Sequence, residues 1–292
     1  MTLPAIRVSL ALFTADRGIT PAEAAAAIEE RGFFGIYLPE HTHIPISRDT
    51  PHPSTGDATL PDDRYRRTLD PWVGLGTACA VTTRLRLGTS VALPLEHDPI
   101  ASAKTIATLD HLSGGRVRLG VGFGWNLEEM IHHGVPVKRR RTMLADYLAA
   151  MGVLWRDDEA EYSGEFVSFG PSWAWPKPVQ QPRPPILVGT SSTAKNFDWI
   201  AKHADGWIST PRDATFGASI ALLGERWAAA GRDGRPQVAI LDVTGGGQVE
   251  AIVESGADEI VVGLPDVDRD TAMRLLDTMT TRLASTVAFA SD

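Results

Sequence analysis

Short runs dominated by Val, Ile and Leu alternate along the chain with longer stretches in which apolar residues recur at helical spacing among charges. The run IRVSLALF (6–13) is followed by TPAEAAAAIEERG, where Thr20 is placed to cap a helix, Pro21 suits its first position and Gly32 its stop. FGIYLPE (34–40) predicts a second strand. Residues 41 to about 68 mix Pro, Asp, Ser and Gly without a period and predict a long loop. DPWVGLGTACAVTT then predicts a helix, LRLGTSVAL (85–93) a third strand, DPIASAKTIATLDHLSGG a helix stopped by its glycines, and RVRLGVGFG (116–124) a fourth strand. From NLEEM to VLWRDD the spacing is helical with a break at GVPVKRR. A connection holding Pro and Trp, from Glu159 to Pro185, leads to a fifth strand, ILVGT (186–190). DGWIST (205–210), QVAILDVTG (237–245) and EIVVGLP (259–265) complete eight strands, each followed by a helical stretch.

Eight strand–helix units in 292 residues predict an α/β fold whose strands close into one (β/α)8 TIM barrel, with a long insertion after strand 2 and an extended connection before strand 5. No compositional break or repeat divides the chain, so residues 1–292 read as a single domain. Such a barrel carries its site where the strands end. The residues there are rich in glycine and hydroxyls: Thr14 after the first strand, Glu40, His41 and His43 after the second, Ser90 to Pro94 after the third, and Gly122 to Asn126 after the fourth. The later strands end in Gly189 to Ser192, Ser209 to Pro211, Thr244 to Gly247 and Gly263 to Pro265.

Charge and cysteine content narrow the possible classes. With 28 basic and 36 acidic residues the formal charge is −8, which offers no electrostatic footprint for nucleic acid or an anionic membrane. The one basic cluster, Lys138 to Arg141, reads as a solvated first turn of a helix. Cys79 is the only cysteine, which excludes an intrachain disulfide and a multi-cysteine metal site. No apolar run approaches a membrane span, and the first residues lack a secretory pattern, so a cytoplasmic location is expected.

GVGFGW spells G-x-G-x-G, whereas the dinucleotide fingerprint needs G-x-G-x-x-G after a first strand; Trp125 stands where its third glycine belongs. The dinucleotide reading fails. At the end of a barrel strand these glycines either let a flat ligand approach the backbone or serve packing alone, and both readings stay open. GTSSTAKN offers amides and small hydroxyls at a helix start, which suits an anion or an ordinary cap by Ser191 or Ser192. EHTH supplies two imidazoles, but strands five to eight end without further ligands, so no metal is expected. A histidine beside a carboxylate suits orienting a ligand or moving a proton near neutral pH, and equally a loop histidine bonded to backbone. There is no G-x-S-x-G, and Cys79 lies in an apolar helical run, so nucleophilic catalysis has little support.

Four stretches, RRTLDPWVGLGTACAVTTRLRLGTSVALP, DPIASAKTIATLDHLSGGRVRLGVGFGWNLEEM, WPKPVQQPRPPILVGTSS and ADGWIST, follow one another in an order and spacing that resembles the bacterial luciferase-like superfamily, specifically its actinobacterial branch of deazaflavin (F420)-dependent oxidoreductases. The match runs from about Arg66 to Thr210. The resemblance implies a (β/α)8 barrel that holds F420, or alternatively FMN, across its strand ends as a hydride carrier. It places Glu40 and His41 as the acidic-His pair that meets the ring system, with His41 moving a proton and Glu40 orienting the site. It implies that Ser90 and Val91 form a non-prolyl cis peptide behind the ring, that Gly122, Gly124 and Asn126 line the cofactor, and that Gly189, Thr190, Ser191 and Ser192 form the phosphate-binding turn. Many relatives have Gly-Gly-Asn-Ser where this chain has Gly189-Thr190-Ser191-Ser192, and the Thr190 side chain is expected to narrow the space for a phosphate. The uncharged rim suggests a small, neutral organic substrate. A reduced-flavin monooxygenase and a non-catalytic flavin or deazaflavin binder are the rival functions. Relatives are often dimers, so a homodimer or higher homo-oligomer is expected.

Overall fold

The computed structural model describes residues 3–210, 213, 215–242 and 246–290. Eight parallel strands form the barrel: β1 (Ala5–Leu12), β2 (Gly35–Leu38), β3 (Arg86–Thr89), β4 (Val117–Gly122), β7 (Ile186–Gly189), β8 (Gly206–Ile208), β9 (Gln237–Asp242) and β10 (Glu259–Leu264). Each pairs with the next, and β10 closes on β1 in a register that runs from Arg7 opposite Glu259 to Leu12 opposite Leu264. The returns are α1 (Pro21–Glu30), α2 (Pro71–Val81), α3 (Pro99–Ser113), α4 (Leu127–His132) with α5 (Arg140–Arg156), α6 (Ala194–His203), α7 (Phe216–Ala229), α8 (Val249–Glu254) and α9 (Arg269–Ala284). The helical break expected at GVPVKRR is the gap between α4 and α5.

Local chemistry starts and stops these helices. Thr20 and Glu23 form a reciprocal capping box on α1, and Asp70, Asp98, Thr193 and Asp268 each accept an amide of the first turn of their helix. Gly114, at φ 68°, ends α3 in the left-handed conformation that glycine adopts without steric cost.

The structure shortens predicted strands and adds strands that were not predicted. The second strand stops at Leu38, because Pro39 has no amide to give to a ladder and the Glu40 side chain turns toward the segment after β3. Within the extended connection before strand five, β5 (Ala160–Ser163) and β6 (Ser168–Ser172) make an antiparallel hairpin with an irregular register. At the far end of the chain, β11 (Ala288–Phe289) adds to the start of β1. The rim positions Pro211, Thr244 and Gly245 lie outside the described residues.

Inside the barrel, Tyr37, Leu187, Ile208, Ala239 and Val261 form a buried apolar layer, with Ala11, Val91 and Leu241 partly exposed above it. Below, at the strand starts, Arg118 pairs with Glu259 at 3.1 Å, while Ser9 Oγ and the Tyr37 hydroxyl donate to the same carboxylate. These groups are almost wholly buried, so their remaining hydrogen-bonding capacity must be met internally, and the network seals the lower end. The other end, at the strand C-termini, is where the partly exposed floor lies.

Candidate active site

The segment leaving β2 splits its two functional side chains. Glu40 is buried; it accepts the Leu93 amide and lies 2.8 Å from His97 Nε2. That hydrogen bond raises the His97 pKa against the opposing effect of burial. His41 turns the other way. Its Nδ1 lies 2.8 Å from Glu129 Oε2, and Trp125 Nε1 donates to its Nε2 at 3.3 Å. An ionised carboxylate only accepts, so the bond to Glu129 puts the ring proton on Nδ1 and leaves Nε2 as the lone-pair nitrogen. Burial works against ionising Glu129, yet its bonds from His41, the Asn126 amide group and the His43 backbone hold its carboxyl below the ordinary range. Glu40 and His41 therefore belong to separate pairs, and Glu40 acts on the exit of β3.

The long insertion supplies a wall. Tyr65 sits 5.6 Å from the His41 ring and 4.7 Å from Phe13, and His52 lies edge-on to both Tyr65 and Trp125 at under 5 Å. Asp49 and Thr50 anchor this loop by donating their amides to Glu128 Oε1 at the start of α4.

The floor explains the glycines. A Cβ on Gly122 would stand 2.6 Å from Val91 Cγ2, and one on Gly189 would stand 2.5 Å from Val91 Cγ1. One on Gly120 would meet the Thr89 carbonyl at 1.9 Å. The glycines thus receive the Val91 side chain and the neighbouring strand, and a ligand above them meets Val91 first. The Ser90–Val91 peptide is cis, the geometry the resemblance implies. Gly124, at φ 75° and closely covered by Met130, serves the turn into α4. Phe123 packs behind the floor, edge-on to Trp199 and beneath the Arg141 guanidinium, whereas Trp125 faces the wall.

At the fifth barrel strand, the Thr190 hydroxyl is turned into a 2.7 Å bond from Asn196 Nδ2, which also reaches the Ser191 carbonyl and hydroxyl. It therefore points at α6. The amide and hydroxyl of Ser192 both donate to Asp213 Oδ1, and those of Thr210 both donate to Asp213 Oδ2. The donors of this turn hold the chain's own carboxylate.

Two polar atoms at the mouth, Thr14 Oγ1 and Asn126 Oδ1, are buried without a partner among the described residues, which is unusual for an interior polar group. An apolar floor, an aromatic wall, an oriented imidazole and free acceptors suit a flat heteroaromatic ring. Glu129, Glu96, His97, His52 and Tyr65 were not singled out from sequence. The available signal was that Glu96-His97 after β3 repeats Glu40-His41 after β2, and that Glu129 lies in the first turn after a strand end.

These features come together at the C-terminal end of a (β/α)8 barrel, and the comparisons identify its family. The family model described as luciferase-like monooxygenase matches residues 20–261, and the chain belongs to the bacterial luciferase-like family. It is 60% identical over 279 residues to an uncharacterized protein of Mycobacterium tuberculosis, covering 95% of this chain and 99% of that one. It is 30% identical over 219 residues to the F420-dependent glucose-6-phosphate dehydrogenase of Nakamurella multipartita, covering 72% and 58%. Solved structures of like fold include F420-dependent enzymes and monooxygenases; the monooxygenase RslO1 from Streptomyces bottropensis superposes with a TM-score of 0.74 at 18% identity, covering 96% and 99%.

Proposed function

We propose that this chain is an F420-dependent oxidoreductase that moves a hydride between the deazaflavin and a small, neutral organic substrate. The observation that carries the reading is His41, held by buried Glu129 with Nε2 turned toward the aromatic wall, beside the apolar floor of Ala11, Val91 and Leu241. Bound F420 supplies the carbon that takes or gives the hydride. On release of the Trp125 N–H that it accepts, His41 Nε2 takes the substrate proton that accompanies hydride removal, or returns it in reduction, and Glu129 stabilises the resulting imidazolium. Glu40 and His97 fix the chain that carries Val91, while Tyr65, His52 and Trp125 limit water at the reacting face. The amides and hydroxyls of Ser192 and Thr210, which now donate to Asp213, would hold a cofactor phosphate. A cytoplasmic location and a homo-oligomeric state belong to the same proposal. The family description and the monooxygenase neighbour support a second reading, an FMN-dependent monooxygenase on the same floor.

Titration of the purified protein with F420, reduced F420 and FMN tests the choice. Micromolar F420 binding together with turnover over a panel of alcohols and carbonyl compounds is expected, and His41→Asn is expected to lower turnover by roughly 10²-fold or more while F420 still binds. FMN binding without F420 binding overturns the reading in favour of the monooxygenase. Tight F420 binding without turnover points to a non-catalytic carrier.

A further inference from the structure

The chain just after His41 folds back against the C-terminal end of α4 and makes a string of bonded groups. At the inner end, His41 Nδ1 meets Glu129 Oε2 at 2.8 Å; the Glu129 side chain is fully buried and that of His41 is 6% exposed. The other oxygen of that carboxylate, Glu129 Oε1, lies 3.4 Å from the Thr42 hydroxyl, and the buried Glu96 Oε2 lies 3.1 Å from the same hydroxyl. Thr42 Oγ1 is 3.0 Å from His43 Nδ1, and His43 Nε2 is 2.8 Å from His132 Nδ1, with the two rings stacked. His43 and His132 are exposed. His133 Nε2 lies 2.8 Å from the same hydroxyl as a side branch. Every member can both donate and accept in at least one protonation state, which is what passing a proton along a string requires. Among the described residues no group of three or more His, Cys, Asp or Glu is arranged to hold a metal ion.

We infer that Glu129, Thr42, His43 and His132 form a proton relay between His41 and bulk water. Once a proton arrives on His41 Nε2, the Nδ1 proton passes to the Glu129 carboxylate, which turns over and hands that same proton to Thr42 Oγ1, returning to its ionised form. The Thr42 hydroxyl gives its own proton to His43 Nδ1, His43 gives its Nε2 proton to His132 Nδ1, and His132 releases its Nε2 proton to water. One proton enters and one leaves; each bond made matches one broken, and the reverse order delivers a proton inward. Thr42, His43 and His132 are positioning residues that act through His41. The inference rests on the reading of His41 as the site's proton carrier.

The test is the solvent-exchange rate of the His41 Nδ1 proton, followed by NMR on the full-length, histidine-labelled protein without cofactor or substrate. Thr42→Val is expected to slow exchange tenfold or more, Thr42→Ser to keep the native rate, and His132→Gln to slow it with recovery in added imidazole. If Thr42→Val and His43→Gln both exchange at the native rate, the relay is overturned and the string only staples the loop to α4. Should Thr42→Val fail to fold, the His43→Gln and His132→Gln rates decide the matter. Because no cofactor is used, this outcome is independent of whether F420 binds.

Discussion

Glu96 keeps its proton where most carboxyls have lost theirs. Burial, reinforced by the charge of Glu129, pushes its pKa up to about 9 from an ordinary 4.5. The folded state thus holds a proton that the unfolded chain releases, so the stability this group contributes is complete below about pH 4.5 and is lost as pH rises through about 9. His97, whose pKa is raised by Glu40, adds a loss in the same direction above the ordinary histidine range, whereas Glu129, with its lowered pKa, costs stability only as the solution is acidified. Glu96→Gln is therefore expected to flatten the fall in unfolding midpoint between pH 6 and 9, as read by urea denaturation across that range; an unchanged slope would contradict the assignment. At this scale the sequence was half legible. Glu40 and His41 stood out because a charged pair ended an apolar run. Glu129 did not, because an acidic residue in a first helical turn is ordinary, and what sets it apart is burial, which depends on the loop folding over it.

Among the elements, β3, β4 and β7 are tied by one side chain. Val91 fills the space that Gly122 and Gly189 leave open, so the three strand ends form a single packing unit. Gly122→Ala forces Val91 upward or sideways and is expected to cost about 1–3 kcal/mol, the usual range for overpacking. Adding Val91→Ala is expected to recover part of that loss, giving a coupling that a double-mutant cycle on thermal unfolding measures. Additive losses would mean that Val91 is not the obstacle. The strands themselves were readable because parallel barrel strands are apolar on both faces and stand out as unbroken runs. The β5–β6 hairpin was not, since its residues are mostly exposed and carry little alternation to distinguish strand from loop. Whether the glycines served a ligand or packing was likewise not legible, because it depends on where a residue about 30 positions away, Val91, puts its methyl groups.

For the molecule as a whole, the barrel is sealed by Arg118 and Glu259 at one end and bears its partly exposed floor at the other, so cofactor binding should register as global stability. With ligand at about 100 times its dissociation constant, linkage adds roughly 2.7 kcal/mol, which in a protein of this size raises the melting temperature by about 5 °C. That shift, measured by calorimetry with F420 and with FMN, ranks the two cofactors without needing a substrate. The carboxylate of Asp213 sharpens the expectation. Asp213→Ala frees the amide and hydroxyl donors of Ser192 and Thr210, and a phosphate-bearing cofactor is expected to bind several-fold more tightly to that variant; equal affinity would mean that the cofactor's phosphate goes elsewhere. On the proposed reading, cofactor loading would be an exchange of one anion for another: the resident acid keeps the donors aligned, and the affinity of the native protein would measure how well the incoming phosphate outcompetes a neighbour that is permanently tethered.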